Sequence, residues 1–95
     1  MIKLVLEYDG SGFVGWAAQP GLRTVEDELV TAIETVSGER VDPSVAGRTD
    51  AGVHAWGQVA SFETGAATEP DLLRRSLNGV LPPDIAVRNA RRGAA

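Results

Sequence analysis

Cysteine is absent from this 95-residue sequence, and histidine occurs only once, at His54. Without cysteine no disulfide can form, and one histidine alone leaves too few of the ligands that zinc sites use. We therefore expect neither a disulfide framework nor a bound metal ion. The length is that of one small domain with a single core, too short for the usual two-domain enzyme.

Long apolar runs are also missing. No stretch approaches the roughly 20 apolar residues that a membrane-spanning helix needs. The apolar stretch within residues 1–7 is short, an acid interrupts it, and no small-residue cleavage site follows. We therefore expect no membrane association and no secretion, and we place the protein in the cytoplasm.

Basic residues are outnumbered, with 9 lysines and arginines against 13 acids and a formal net charge of −4. Nucleic-acid-binding domains are usually basic. The two halves differ, because residues 1–47 hold eight acids and three bases, for −5, whereas residues 48–95 hold five acids and six bases, for +1. The bases that could meet phosphate are Arg48, Arg74, Arg75, Arg88, Arg91 and Arg92. Since charged runs are usually solvated surface, this asymmetry alone decides little.

Hydrophobic periodicity predicts six elements. Apolar residues alternate over 2–7, as in a strand with one buried face. A capping pattern at Thr24 and Asp27 then precedes apolar residues at helical spacing as far as Gly38. The remaining expected elements are a short strand at 45–46, a strand at 58–63, a helix opened by Thr68, Pro70 and Asp71, and a strand around Ile85 and Val87.

This order is typical of the ferredoxin-like βαββαβ fold of the α+β class. In that fold two helices pack on one face of a four-stranded antiparallel sheet. We expect residues 1–90 to form this single domain and residues 91–95 to be a frayed tail. In the second helix Leu73, Leu77 and Val80 face one side. We expect the core to close from Leu4, Leu6, Leu29, Ile33, Val36, Phe62, Leu73 and Leu77.

Gly10, Gly12 and Gly15 follow the first strand with the spacing of a dinucleotide-binding fingerprint. That fingerprint needs a helix to open at once, so that its amino terminus meets the pyrophosphate. Here the helix signal starts only at Thr24. We therefore reject dinucleotide binding.

The most informative stretch is residues 47–57, with the sequence GRTDAGVHAWG. Its three glycines permit a tight turn that presents Asp50 to an approaching molecule. In extended chain Arg48 points the same way as Asp50, and a neighbouring guanidinium favours the ionised carboxylate. The pattern predicts a charged, oriented aspartate suited to act as a nucleophile or an acceptor.

This stretch resembles the active-site motif of the TruA family of transfer-RNA pseudouridine synthases. From the residues themselves we expect Arg48 to orient Asp50 and Thr49 to contact the substrate, while His54 is expected to contact the substrate at a phosphate, to orient Asp50, or to be a structural histidine. The resemblance implies that Asp50 is the catalytic nucleophile, in a reaction with no redox step and no external group, so that no cofactor is needed. It also implies isomerisation of a uridine in the anticodon stem-loop of tRNA. The carboxylate would attack the sugar or the base, or stabilise a sugar cation; the sequence does not choose between them.

The resemblance extends to residues 8–16 and 77–87, with two departures. Ala17-Ala18 stands where polar or basic residues are common, and Glu26 stands where glutamine is usual. The side chains that could stack on a displaced base are Phe13, Trp16, Trp56 and Phe62, although core packing is the default for each.

Family members resembling this sequence are more than twice as long and have a second domain that supplies a pocket tyrosine. We therefore expect a missing carboxy-terminal domain, an inactive 95-residue chain, and an uncovered sheet face that favours a homodimer. The alternative is a non-catalytic RNA-binding or ligand-binding module of the same fold. A hydrolase built from Ser11, His54 and Asp50 lacks the nucleophile-elbow spacing.

Overall fold

A four-stranded antiparallel sheet is the centre of the fold, in a computed structural model that describes residues 1–45, 52, 55–65 and 69–93. The strands are β1 (Ile2–Tyr8), β2 (Ser44–Val45), β3 (Ala55–Phe62) and β4 (Ile85–Arg92). Helix α1 (Val25–Ser37) follows β1, and helix α2 (Pro70–Val80) follows β3. The order of elements along the chain is the expected one.

The strands lie side by side in the order β2-β3-β1-β4. Each neighbouring pair is antiparallel, so Leu4 at the centre of β1 lies opposite Ala60 of β3 and Ala90 of β4. Each helix therefore joins two parallel strands with another strand between them. This topology confirms the predicted α+β ferredoxin-like fold.

One face of the sheet is buried under the helices. Along β1, buried residues alternate with half-buried ones, as the two-residue period of a strand requires. The buried residues of β1 share a single core with both helices. Of the expected core residues, Leu4, Leu6, Leu29, Ile33, Phe62, Leu73 and Leu77 lie within it, and Val36 packs against it half-buried. Burial of each such leucine or isoleucine stabilises the fold by about 1.5–3 kcal/mol.

Helix α1 has the ends that its sequence predicts. The Thr24 hydroxyl oxygen accepts a hydrogen bond from the Asp27 backbone N–H at 3.3 Å. Gly38 ends the helix in the left-handed conformation, with φ 77°, and its N–H donates to the Glu34 carbonyl oxygen. A residue with a Cβ is strained in this conformation, so glycine is the residue that ends the helix cleanly here.

Helix α2 begins at Pro70 and is capped by the Glu69 side chain. Thr68, expected to open the helix with Pro70 and Asp71, lies outside the described residues. Leu73 and Leu77 are buried as expected. Val80, on the same side by helical spacing, is 46% exposed in the last turn of the helix. The chain leaves the helix at Leu81, which fills the core position instead.

Two strands run further than the sequence indicated. Strand β3 begins at Ala55 rather than Gln58, and β4 continues to Arg92. Arg92 lies opposite Ile2, and the Gly93 N–H donates to the Met1 carbonyl oxygen at 2.9 Å. The predicted frayed tail is therefore wrong for residues 91–93, because pairing with β1 supplies hydrogen bonds that local sequence does not reveal.

Within the described ranges, no helix is long and apolar enough to cross a membrane.

Candidate functional site

The residues predicted to carry the chemistry, Arg48, Thr49, Asp50 and His54, lie outside the described residues. Gly52, two positions after Asp50, is described. It has φ 77°, and its N–H donates to the Phe13 carbonyl oxygen at 3.1 Å. This bond joins the 47–57 segment to the loop after β1, which is the other segment singled out from the sequence.

The loop after β1 is held by hydrogen bonds within it and by hydrogen bonds to the start of α1. It opens with a 3-10 turn, Gly10–Gly12, at which Asp9 Oδ1 accepts from the N–H and the hydroxyl of Ser11. Further along, the Val25 N–H donates to the Gly15 carbonyl oxygen and the Glu26 N–H to that of Trp16. No helix follows the glycines until Val25, in keeping with the rejection of a dinucleotide site.

Glu26 stands at one of the two departures from the family pattern, and its side chain contacts the other. Its Oε1 atom accepts a hydrogen bond from the Ala18 backbone N–H at 2.8 Å. The carboxylate therefore holds the loop against the first turn of α1. A single acceptor suffices for this contact, and both glutamate and glutamine provide one.

Arg23 makes the most contacts described in this region, and no sequence pattern pointed to it. Its guanidinium donates to both carboxylate oxygens of Asp84, at 2.8 and 2.9 Å, and to the Gly12 carbonyl oxygen at 3.3 Å. It also lies 4.1 Å from the centre of the Phe13 ring, as in a cation–π contact. One side chain therefore connects the loop, the start of α1 and the turn before β4.

The Arg23–Asp84 pair shifts both ionisation equilibria. The hydrogen bonds from Arg23 lower the pKa of Asp84 below its ordinary value of 3.8, against an opposing effect of burial. The hydrogen bond to Asp84 likewise raises the pKa of Arg23. Both groups are therefore held in their charged forms across the physiological pH range.

A cavity of about 400 Å³ opens at the end of the sheet where β1 finishes and β3 begins. Its lining includes Glu7 of β1 and Asp9 just after it, Trp56 of β3, Asp84 of the turn before β4, and Ala86 of β4. Glu7 and Ala86 are paired in register, and Glu7 alternates with the core residues of β1. The cavity therefore lies on the sheet face that the helices do not cover.

The charge of the described strands differs from that of the chain. The strands hold one acid, Glu7, and the cations Lys3, Arg88, Arg91 and Arg92. Helix α1, on the other side of the sheet, holds four acids and no base. The net charge of −4 is therefore unevenly distributed, since the strands are basic and helix α1 is acidic. An anion is favoured at the sheet.

Three of the four candidate stacking aromatics belong to the core. Phe13, Trp16 and Phe62 are buried, and Phe13 packs edge-on against Tyr8 with ring centres 6.4 Å apart. Trp56 differs, because it is 78% exposed at the start of β3. Of the four, Trp56 alone is available to a ligand.

Asn78 is a second residue that sequence reasoning missed. Its side-chain amide donates to the Val87 carbonyl oxygen at 3.0 Å and accepts from the Val87 N–H at 2.8 Å. The asparagine thereby fastens α2 to β4 beside the register shift in the β1–β4 pairing. An exposed helical position otherwise offers no signal of such a contact.

In the described part of the chain, no group of three or more histidine or acidic side chains is arranged to hold a metal ion.

Comparison with known proteins adds one consistent finding. A family model described as tRNA pseudouridine synthase matches residues 4–94. A protein of Citrifermentans bemidjiense named tRNA pseudouridine synthase A is 49% identical over 89 residues, which cover 94% of this chain and 36% of that protein. Proteins of the same name from Cupriavidus taiwanensis and Acetivibrio thermocellus are 51% and 43% identical, over 92% and 95% of this chain and 32% and 37% of their own lengths. The chain thus spans only about a third of the length of these relatives.

Proposed function

Since this chain belongs to the tRNA pseudouridine synthase family, we propose that it is the catalytic-aspartate domain of an enzyme that converts uridine to pseudouridine in tRNA. Asp50 is the nucleophile, Arg48 orients it, and Thr49 and His54 contact the substrate. The target uridine lies in the anticodon stem-loop. The family match supports this assignment, since it spans the segment that contains all four residues.

The reaction is an isomerisation that needs only groups that the protein and the RNA supply. The bond between ribose C1′ and uracil N1 breaks, the base turns, and a bond forms between C1′ and C5. The proton on C5 is lost, and N1 gains one. The Asp50 carboxylate serves by attacking the sugar or the base, or by stabilising a sugar cation.

Three described features support this proposal. The Gly52 N–H bond to Phe13 joins the Asp50 segment to the loop after β1. The cavity at that end of the sheet faces away from the helices. On this face of the sheet Lys3, Arg88 and Arg91 stand against one acid, Glu7, which favours a polyanion there.

The relatives are about three times as long as the matched segment, so we infer that a further domain completes the site. A pocket tyrosine would come from that domain, and the 95-residue chain alone is expected to be inactive and to bind tRNA weakly. The cytoplasm, where tRNA is modified, is the inferred location.

The test replaces Asp50 by asparagine in the protein that carries this chain, with any further domain it has. Tritium release from tRNA labelled at uridine C5 measures the reaction. Loss of the nucleophile should lower the rate by roughly a thousandfold or more. Arg48→Lys should also be damaging, because lysine cannot reproduce a bidentate guanidinium contact.

Asp42→Asn provides the matched control, since Asp42 is exposed and lies outside the segment. It should leave the rate unchanged, and thermal unfolding should show that all three variants remain folded. Pseudouridine formation by Asp50→Asn at the unmodified protein's rate would rule out the assignment of the nucleophile.

A further inference from the structure

We propose that Trp56 and the adjoining cavity form a subsite on which an unpaired nucleobase of the RNA stacks, beside the target uridine. The inference rests on the proposed function for the identity of the RNA. It begins from the exposure of Trp56, at 78%, in a chain whose other tryptophan, Trp16, is 1% exposed. An indole in water at the rim of a cavity offers a flat apolar surface to a ligand.

The backbone under Trp56 is held in place while its ring is left in water. Arg88 of β4 donates from Nη1 to the Trp56 carbonyl oxygen at 2.7 Å. Its Nε atom lies 3.9 Å from the Glu7 carboxylate of β1. Because β1 lies between β3 and β4, the arginine reaches across the central strand on the open face. Because the backbone that carries the ring is fixed before binding, less entropy is lost when the ligand arrives.

The acceptor groups that line the cavity suit a base better than a phosphate. Among the described residues, the lining contributes three carboxylates, from Glu7, Asp9 and Asp84, and no basic side chain. Arg23 pairs with Asp84 and Arg88 lies beside Glu7, so these two carboxylates are not free charges. An ionised carboxylate has no hydrogen to donate to a phosphate, but its remaining lone pairs accept hydrogen bonds from the amino and imino N–H groups of a base. The volume of about 400 Å³ is within the range typical of small-molecule sites.

The basic side chains lie where the phosphates of the bound RNA strand would pass. Arg88 borders the cavity through its contacts with Trp56 and Glu7, and Lys3 and Arg91 are paired in register farther along the sheet. The phosphates of an RNA strand that lies along the open face would thus contact the basic side chains. One of its bases would enter the cavity, against Trp56 and the carboxylates. This combination of a stacking ring with a basic track is typical of single-stranded RNA binding.

The intrinsic fluorescence of the protein provides a direct test. Trp56 is exposed and Trp16 is buried, so a stacked base should quench Trp56 selectively. We expect a single-stranded RNA hexanucleotide to quench the emission, and ribose 5-phosphate, which lacks a base, to have no effect. In Trp56→Phe, only Trp16 remains, and the quenching should disappear. Equal quenching by both probes, or none by the RNA, would overturn the proposal.

A kinetic test measures the contribution of Trp56 to the binding of tRNA during the reaction. Trp56→Ala should raise KM for tRNA by about 5- to 150-fold, the range for loss of one stacked base, with little change in kcat. Trp56→Phe should restore KM to within a few-fold, because it keeps a ring. Leu72→Ala, at an exposed apolar side chain of α2, is the control and should leave KM unchanged.

The outcomes separate this subsite from the proposed function. If tRNA is modified but Trp56→Ala has the KM of the unmodified protein, only the subsite is wrong. If the protein with its further domain forms no pseudouridine but RNA still quenches Trp56, the proposed reaction is wrong and the subsite stands. Asp50→Asn should still show quenching, because stacking does not require the nucleophile.

Discussion

At the scale of single residues, the Arg23–Asp84 pair makes stability depend on pH. A carboxyl whose pKa is lower in the folded chain stabilises the fold above its unfolded pKa. That contribution is lost as the pH falls through the folded pKa. The pKa of Asp84 is lowered from 3.8. Asp84→Asn should therefore reduce the free energy of unfolding by about 1 kcal/mol at pH 7, and the difference should narrow from about pH 4 downward.

Urea unfolding at several pH values measures this effect. The matched control is Glu34→Gln, which breaks the ion pair between Arg40 and Glu34, whose side chains are 67% and 49% exposed. That pair is worth less than about 0.5 kcal/mol, because water screens it. Equal losses in the two variants, or a difference for Asp84→Asn that does not change with pH, would contradict this account of Arg23.

At the scale of elements, two glycines should respond to alanine in opposite directions. A methyl group added at Gly38 or at Gly79 would meet no atom within 4 Å, so packing does not distinguish the sites. Gly38 has φ 77° at the end of α1, where an L-residue is strained. Gly79 lies within α2 and has no positive φ. Gly38→Ala should cost about 1 kcal/mol, whereas Gly79→Ala should add about 0.5–1 kcal/mol.

The two variants serve as controls for each other in thermal or urea unfolding. Far-UV circular dichroism should show the same helical content in both. A stabilised Gly38→Ala would mean that α1 ends differently, and a destabilised Gly79→Ala would mean that α2 is not regular at that turn.

At the scale of the whole molecule, the open sheet face predicts self-association. Val5 and Val59 are paired in register and half-buried on this face, and Ala86 follows nearby on β4. An uncovered face with apolar positions tends to pair with another copy, and a symmetric dimer is the commonest closed arrangement. We expect the 95-residue chain to form a homodimer whose sedimentation coefficient rises with concentration.

Val59→Lys should shift that equilibrium toward the monomer, because it places a charge within the proposed contact. Leu72→Lys, on the exposed surface of α2, should leave it unchanged. Sedimentation velocity across a concentration range measures both. A single monomeric species at high concentration would refute the homodimer.

The sequence by itself determined the order of the elements and therefore the fold. Alternation in β1 and the Thr24 and Gly38 ends of α1 are local signals, since hydrogen bonding and backbone strain within a few residues decide them. The motif around Asp50 likewise pointed to the family that the comparisons then established. The positions of Arg48, Thr49, Asp50 and His54 in space stay predictions, outside the described residues.

Tertiary structure decided which residues that are distant in sequence contact one another. Arg23 and Asp84 are 61 positions apart, and only the packing of the loop against the turn before β4 brings them together. Trp16 and Trp56 are chemically the same residue, yet one is in the core and the other in water. The reason is physical: burial depends on which face of which layer a side chain occupies, and the sheet register sets that for Trp56.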